Sequence, residues 1–401
     1  MRLLTAMIFL LLLSACTSGG EQAAAPAADW EATVQAAKGQ SLTMMMWQGD
    51  PLINSYMADY VVPELKQQHD IRLQIVPGQG THIVSTLLAE LEAGKPESSI
   101  DLCWLNGETF YQLRQIDALH GPFVDRLPNN QYIDWANPFI NKDFQQPVQG
   151  YECPWGNVQL ALIYDSARVE VLPQSPADLE AWVQAHPGKF TFPNDFTGMT
   201  FLKTLLSHFA GGKNALQGDY DAAKYATTSA QLWAYLNRIK PHFWNGGTSF
   251  PADVAQMHQL FAAGELWFTM SNNDAEVDNK IAQGLFPATA RAYVPTMGSI
   301  QNSHYLAITR HSAHKAAALV AINLMISPAA QLKKFDPTVW GDGTILATEK
   351  LPAEWQERFA HVPGRKYAPQ RASIQASAIE EPAPEYMIHL FEDFRKEVIE
   401  Q

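Results

Sequence analysis

Ser41-Leu42-Thr43-Met44-Met45-Met46-Trp47 is a short apolar run that stops at Gln48-Gly49-Asp50-Pro51. A run of that length closed by turn residues reads as a buried strand. A helical stretch follows over residues 52–68, with Pro63 as a kink, and then Ile71-Arg72-Leu73-Gln74-Ile75-Val76 alternates as a second strand. Residues 81–93 place Ile83, Leu87, Leu88 and Leu91 on one stripe and end at Gly94, as helices commonly do. Ile100-Asp101-Leu102-Cys103-Trp104-Leu105 is a third strand, leading through Asn106-Gly107-Glu108 into another helix. Such alternation of strand and helix predicts an open parallel sheet whose strand C-terminal ends carry the ligand contacts.

Outward from this unit, a long strand over 150–164 is interrupted at Pro154-Trp155-Gly156, where the chain is expected to cross into a second lobe. There, Ser175-Pro176-Ala177-Asp178 is a helix start with proline at the first helical position. Lys189–Phe192 reads as a strand, Asp195-Phe196-Thr197-Gly198 opens a helix, and 221–240 is helical. A further helix ends at Gly264, followed by the strand Leu266–Met270 and the polar loop Ser271-Asn272-Asn273-Asp274. Extended stretches over 291–309 return to the first lobe, and an alanine-rich helix covers 311–326. The expected division is 1–15 signal peptide, 16–39 tether, 40–153 with about 300–335 as lobe 1, and 154–299 with about 336–401 as lobe 2. Extended crossings between discontinuous lobes make a hinge.

The 401 residues carry 28 Lys plus Arg against 41 Asp plus Glu, a net charge of −13, with 47% hydrophobic and 17% charged residues. This is too apolar for a disordered acidic segment, and it lacks the basic face a nucleic-acid binder needs. Arg2, the apolar run Leu3–Leu13 and then small residues read as an export signal, at about half the length a membrane-spanning helix requires. Leu13-Ser14-Ala15-Cys16 resembles the lipobox of bacterial lipoproteins, which makes Cys16 the lipidation site and places the chain in the periplasm on a lipid anchor. The small polar segment after it is a tether. An oxidising compartment permits a bridge between Cys103 and Cys153, which requires their Cα atoms within about 7 Å, an approach their sequence positions leave open.

Several stretches together resemble the solute-binding proteins of ATP-driven importers. These are Ser249 to Met270 and the run from Ala316-Ala317-Ala318 to Asn323-Leu324-Met325-Ile326-Ser327-Pro328-Ala329-Ala330-Gln331. Trp104-Leu105-Asn106-Gly107-Glu108-Thr109-Phe110, Pro154-Trp155-Gly156, Asp195-Phe196-Thr197-Gly198 and Asp336-Pro337-Thr338-Val339-Trp340-Gly341-Asp342 look, more narrowly, like the YnjB-type subgroup. The resemblance implies a type II periplasmic-binding-protein fold, a Venus flytrap whose two α/β lobes are each an open, mostly parallel sheet flanked by helices. It also implies a monomeric binding subunit that delivers a small solute to a permease and an ATPase on other chains.

The residues themselves agree with that division of labour. Gly211-Gly212-Lys213-Asn214 lacks the spacing and hydroxyl of a phosphate-binding loop, so no ATP hydrolysis is expected. Neither a nucleophile elbow nor a metal-ligand set is present, and no cofactor is called for. Turns after the expected strands supply the ligand candidates Trp47, Asn106, Glu108, Trp155, Thr197, Asn272, Asn273, Asp274, Trp340 and Asp342. These turns combine acids and indoles and hold no Lys or Arg, which favours an organic cation of thiamine-like or polyamine-like kind. Bland roles compete: Trp104 as core, Asp195 as a helix N-cap, Glu108 as a helix-dipole partner, and the helix start at Thr197 as an anion site. Two other functions stay open, a lipid-anchored hydrolase using Glu108 and Asp274 as acid and base, and a sensor or scaffold on the same fold.

Overall fold

The computed structural model describes residues 27–400, so the export signal, the lipobox and Cys16 lie outside the described residues. In chain order the strands are β1 (Ser41–Met46), β2 (Arg72–Pro77), β3 (Leu102–Leu105), β4 (Leu119–His120), β5 (Lys142–Asp143), β6 (Gln146–Pro147), β7 (Cys153–Gln159), β8 (Ala161–Asp165), β9 (Phe268–Ser271), β10 (Ala290–Tyr293), β11 (Ser299–Thr309) and β12 (Ala378–Glu380). β1 pairs in parallel with β2 and β3, while β3 meets β11 antiparallel, giving the order β12-β11-β3-β1-β2 with β4 and β7 also on β11. The second lobe holds a smaller sheet, β10-β8-β9.

The two-lobe α/β architecture is therefore the one expected, with one correction to its detail. In the second lobe both pairings are antiparallel: β9 and β10 run the same way but are separated by β8, which opposes each of them. Lys189–Phe192, expected as a strand, makes no ladder. Trp244 N donates to Phe190 O and Trp267 N to Lys189 O, single bonds from two different segments, while Phe190 and Phe192 are buried for packing alone. Pro63, expected to kink its helix, follows directly on a widened turn in which Val62 N donates to Met57 O. Pro51–Tyr56 and Val62–His69 are joined by the wide turn Met57–Val61, where the ladder absorbs the N–H that proline lacks.

Side-chain alternation splits the first sheet into two faces. Leu102 and Leu306 belong to one apolar cluster, whereas Cys103, Leu105, Tyr305 and Ala307 belong to another. A third cluster, around Leu162, Phe192, Leu202 and Phe268, is the core of the second lobe. β7 and β11 pair from Cys153 opposite Leu306 to Gln159 opposite Gln301, and β12 joins β11 at residues 299–301, so three strands form the crossing. The C-terminal part divides later than expected. Trp340, Ile345, Leu346, Leu351 and Phe359 pack into the first lobe, tied by Asp134 N to Ile345 O and Ala347 N to Tyr132 O, and from Arg365 the chain joins the second.

Cys103 and Cys153 are both buried and free. Cys103 lies opposite Ala307 and Cys153 opposite Leu306, on the two sides of β11. Two strand spacings, about 9.5 Å, separate them, which is beyond the reach of a disulfide.

Candidate functional site

Strand ends from the first lobe converge on an aromatic floor. Trp104, near the end of β3, is its hub: ring centroids lie 4.8 Å from His304, 5.3 Å from Trp155, 5.9 Å from Trp340 and 6.4 Å from Trp47. Tyr56, from the helix after β1, packs on Trp155 and Trp340 at 6.4 and 5.6 Å. Trp155 and Trp340 are buried, but Trp47 and Trp104 stay half-buried, so Trp104 is not the sealed core residue its place in a strand suggests.

Below the indoles lies a buried charged triad. His304 Nε2 is 2.9 Å from Asp342 Oδ2, and Lys334 Nζ bonds the same oxygen. Gly156 makes this closure feasible, because a Cβ there would come within 2.0 Å of both the carboxylate oxygen and the imidazole nitrogen. Burial pulls the His304 pKa down, outweighing the attraction of Asp342, so the ring is neutral near pH 7 and Nε2–H donates. Burial also works to raise Asp342, but Lys334 and His304 outweigh it and hold the carboxyl below its usual range. For Lys334 burial wins over Asp342 and lowers the ammonium pKa. Its Nζ sits 5.2 Å from the Trp340 ring and 6.0 Å from Trp155, a resident cation on the indole floor.

The second lobe contributes its own strand ends. Asp195 accepts from the N–H groups of Thr197 and Gly198 and caps the helix Phe196–Phe209, so those donors are not free for an anion. Asn272 Nδ2 donates to Thr197 Oγ1 at 3.2 Å. Asn273 Nδ2 reaches Trp340 O at 3.4 Å, which joins this loop to the indole segment. Asp274 is drawn elsewhere. Arg365 and Arg371 clamp its fully buried carboxylate, Gln159 N donates to it at 3.0 Å, and the two guanidinium groups overcome burial to lower its pKa.

Asn106 begins the helix Gly107–Gln115 without a side-chain cap. Glu108, in the first turn, feels the charges of Lys203 and Glu381. Burial pushes its carboxyl up to about 7 against the pull of Lys203, and Oε2 has no hydrogen-bond partner. Thus the structure gathers Trp47, Trp155, Trp340 and Asp342, joins Asn273 to them through the Trp340 carbonyl, links Asn272 to Thr197 in the second lobe, and leaves Asn106 as the start of a helix. Glu108 and Asp274 lie in separate charged clusters.

Sequence reasoning found no cations at these turns, and the fold brings several from distant segments. Lys334 pairs Asp342, Arg365 and Arg371 pair Asp274, Lys203 pairs Glu381, and Lys280 links Glu276 with Asp50 across the lobes. His304, Tyr56 and these cations were missed. For His304 a signal existed, since Gln301-Asn302-Ser303-His304 is a polar run inside an otherwise apolar strand, and all four are buried. Buried polar atoms without partners mark what the floor lacks: Trp155 Nε1, His304 Nδ1, Asp342 Oδ1 and Asn272 Oδ1. A cavity of about 440 Å³ lies between the lobes, lined by residues such as Asp134, Asn137, Asn214 and Glu380, and the carbonyl of Phe139 in its wall accepts from Asn157 and Ser303, the chain neighbours of Gly156 and His304. Among the described residues, no His, Cys, Asp and Glu group is arranged to hold a metal ion.

Two lobes on extended crossings, with an aromatic floor at the junction, define a solute-binding protein, and the chain belongs to the bacterial extracellular solute-binding protein family, matched over residues 60–362. It is 39% identical over 333 residues to Protein YnjB of Escherichia coli K12, covering 81% of this chain and 84% of that one. Among solved structures, it is similar to the spermidine/putrescine-binding PotD of Streptococcus pneumoniae, with a TM-score of 0.59 and 16% identity over 89% of this chain and 99% of that one. It is also similar to AfuA of Actinobacillus pleuropneumoniae, bound to fructose-6-phosphate, with a TM-score of 0.62 and 13% identity over 90% and 98%.

Proposed function

We propose that this chain is the receptor subunit of an ATP-driven importer, closing its lobes over a small organic cation of thiamine-like kind and delivering it to a separate permease. The observation that carries this reading is the set of orphaned polar atoms at the indole floor. His304 Nδ1 and Asp342 Oδ1 accept, Asn272 Oδ1 adds an acceptor from the second lobe, and Trp155 Nε1 donates. An acceptor-rich aromatic floor suits a solute that donates hydrogen bonds and carries positive charge. Because Lys334 already occupies the Trp340 and Trp155 side, the solute's charge belongs over the half-buried Trp47 and Trp104.

Closure follows as a population shift, driven by whatever contacts exist only in the closed state. No catalytic role is proposed: Asp274 is locked by two arginines, and Glu108 lies in another cluster, so the acid–base pair of a hydrolase is not assembled. We further propose that acylated Cys16 holds the protein at the periplasmic membrane surface.

Isothermal titration of the protein, stripped of solute, with thiamine, putrescine and benzoate tests the charge assignment. Binding of a cation, weakened about 10-fold by Trp104→Ala as expected for loss of one cation–π contact worth about 1–2 kcal/mol, supports it. Tight binding of the anion with none of the cations refutes it.

A further inference from the structure

Ile140, Phe144 and Val148 are four residues apart, yet each is buried in a different cluster. Ile140 lies with Trp155 and Ile345 of the first lobe, Val148 with Phe110 and Tyr305 on that lobe's other face, and Phe144 with Phe192, Met199 and Phe201 of the second lobe. The element responsible is the hairpin β5–β6, in which Lys142 faces Pro147 and Asp143 faces Gln146.

Its base is fastened to the first lobe. Tyr305 Oη donates to the carbonyls of Ile140 and Lys142 at 3.1 and 2.9 Å, and Ser303 Oγ donates to Phe139 O at 2.6 Å. Its tip is fastened to the second lobe and the third crossing strand. Gln145 Nε2 donates to Glu381 O at 2.7 Å and to Glu380 Oε2 at 3.2 Å, and Gly218 N donates to Gln145 Oε1 at 3.3 Å. Lys203 Nζ, on the helix Phe196–Phe209, sits 4.1 Å from the centre of the Phe144 ring. The ring also abuts Gly107 of the first lobe so closely that a Cβ there would lie 1.8 Å from it. A phenyl group is thus clamped between the first turn of one lobe's helix and a helix of the other.

The backbone at the tip sets this hairpin apart. Phe144 and Gln145 have φ of +46° and +63°, and neither is glycine. Two-residue hairpin turns of this shape favour Asn and Gly, and a bulky residue at positive φ persists only where its surroundings hold it there. Here the holding groups belong to both lobes.

We propose that the hairpin 142–147 is a built-in clasp between the lobes, its Phe144-Gln145 tip holding them together before any solute arrives. The clasp sets the resting balance of open and closed forms, so a solute supplies only the remaining difference. This rests on the two-lobe reading and not on the identity of the solute.

Small-angle scattering on the full chain with Cys16→Ser, stripped of solute in guanidinium and refolded, tests it with Gln145→Ala and Phe144→Ala variants. The parent should match the structure described above, in which the hairpin joins the lobes, with the radius of gyration of roughly 21 Å expected of a compact chain this long. Each variant should give a larger radius and a profile that structure no longer fits, with its near-ultraviolet circular dichroism unchanged. Should Phe144→Ala fail to fold, Gln145→Ala decides, since it deletes three hydrogen bonds and leaves the core filled. Scattering from folded Gln145→Ala that superimposes on the parent overturns the clasp, as does a solute-free parent that is already open. Titration with thiamine on the same samples judges the solute assignment separately.

Discussion

Replacing Glu108 by Gln should make this protein more stable at pH 8 and leave it unchanged near pH 4. Burial pushes the folded-state carboxyl up to about 7, Lys203 moderates the rise and Glu381 adds to it. An unfolded glutamate titrates near 4.3, so the folded state holds a proton across the intervening window that the unfolded chain has given up. Stability therefore falls as pH rises from about 4.3 to 7 and is flat above that, the reverse of a paired carboxylate. At 1.36 kcal/mol per pH unit, the shift from 4.3 to about 7 amounts to about 3.7 kcal/mol as an upper bound, and partial exposure of the residue brings the expected effect to roughly 1.5–3 kcal/mol. Urea denaturation of both proteins between pH 4 and 8, plotted as their difference, isolates this carboxyl from every other titrating group. A difference that is constant with pH, or one that favours the parent at pH 8, would refute the assignment of Glu108 as a buried carboxyl without a full counter-charge. Were a bound cation to reach Glu108, it would favour the ionised form, and binding would then release a proton and tighten as pH rises towards 7.

Three further outcomes follow from the buried clusters. Asp342→Asn should cost about 3–5 kcal/mol by stranding the Lys334 ammonium, whereas Asp342→Asn with Lys334→Met should recover most of it, as chemical denaturation of the singles and the double will show. Gly156→Ala should lose at least 2 kcal/mol, since its Cβ cannot coexist with the contact of His304 and Asp342; a melting temperature equal to the parent's counts against that geometry. Cys103 and Cys153 should stay silent to a thiol reagent in the native protein and both react in denaturant, and reductant should not move the thermal midpoint. A mass lower by two hydrogens would reveal a bridge and contradict the strand order.

What the sequence disclosed was local. Ser175 and Asp195 cap helices through bonds spanning two or three residues, so the signal and its structural consequence share one short window. The parallel unit of β1, β2 and β3 is likewise written in apolar runs and the turns between them. Charge partners are different in kind. Asp274 meets Arg365 and Arg371, Asp50 meets Lys280, and Lys203 meets Glu381, pairs that only the completed chain trace brings together. A turn composed of acids and indoles therefore says little about net charge at the site, because a buried carboxylate demands a counter-ion and the fold will draw one from anywhere. The inference that survives is narrower and rests on unmet hydrogen bonds. Asp342 spends one oxygen on Lys334 and His304 and keeps the other without a partner beside Trp155 and Trp104. The unmet acceptors at the floor therefore argue for a guest that donates hydrogen bonds, and its positive charge is argued separately, from the half-buried faces of Trp47 and Trp104.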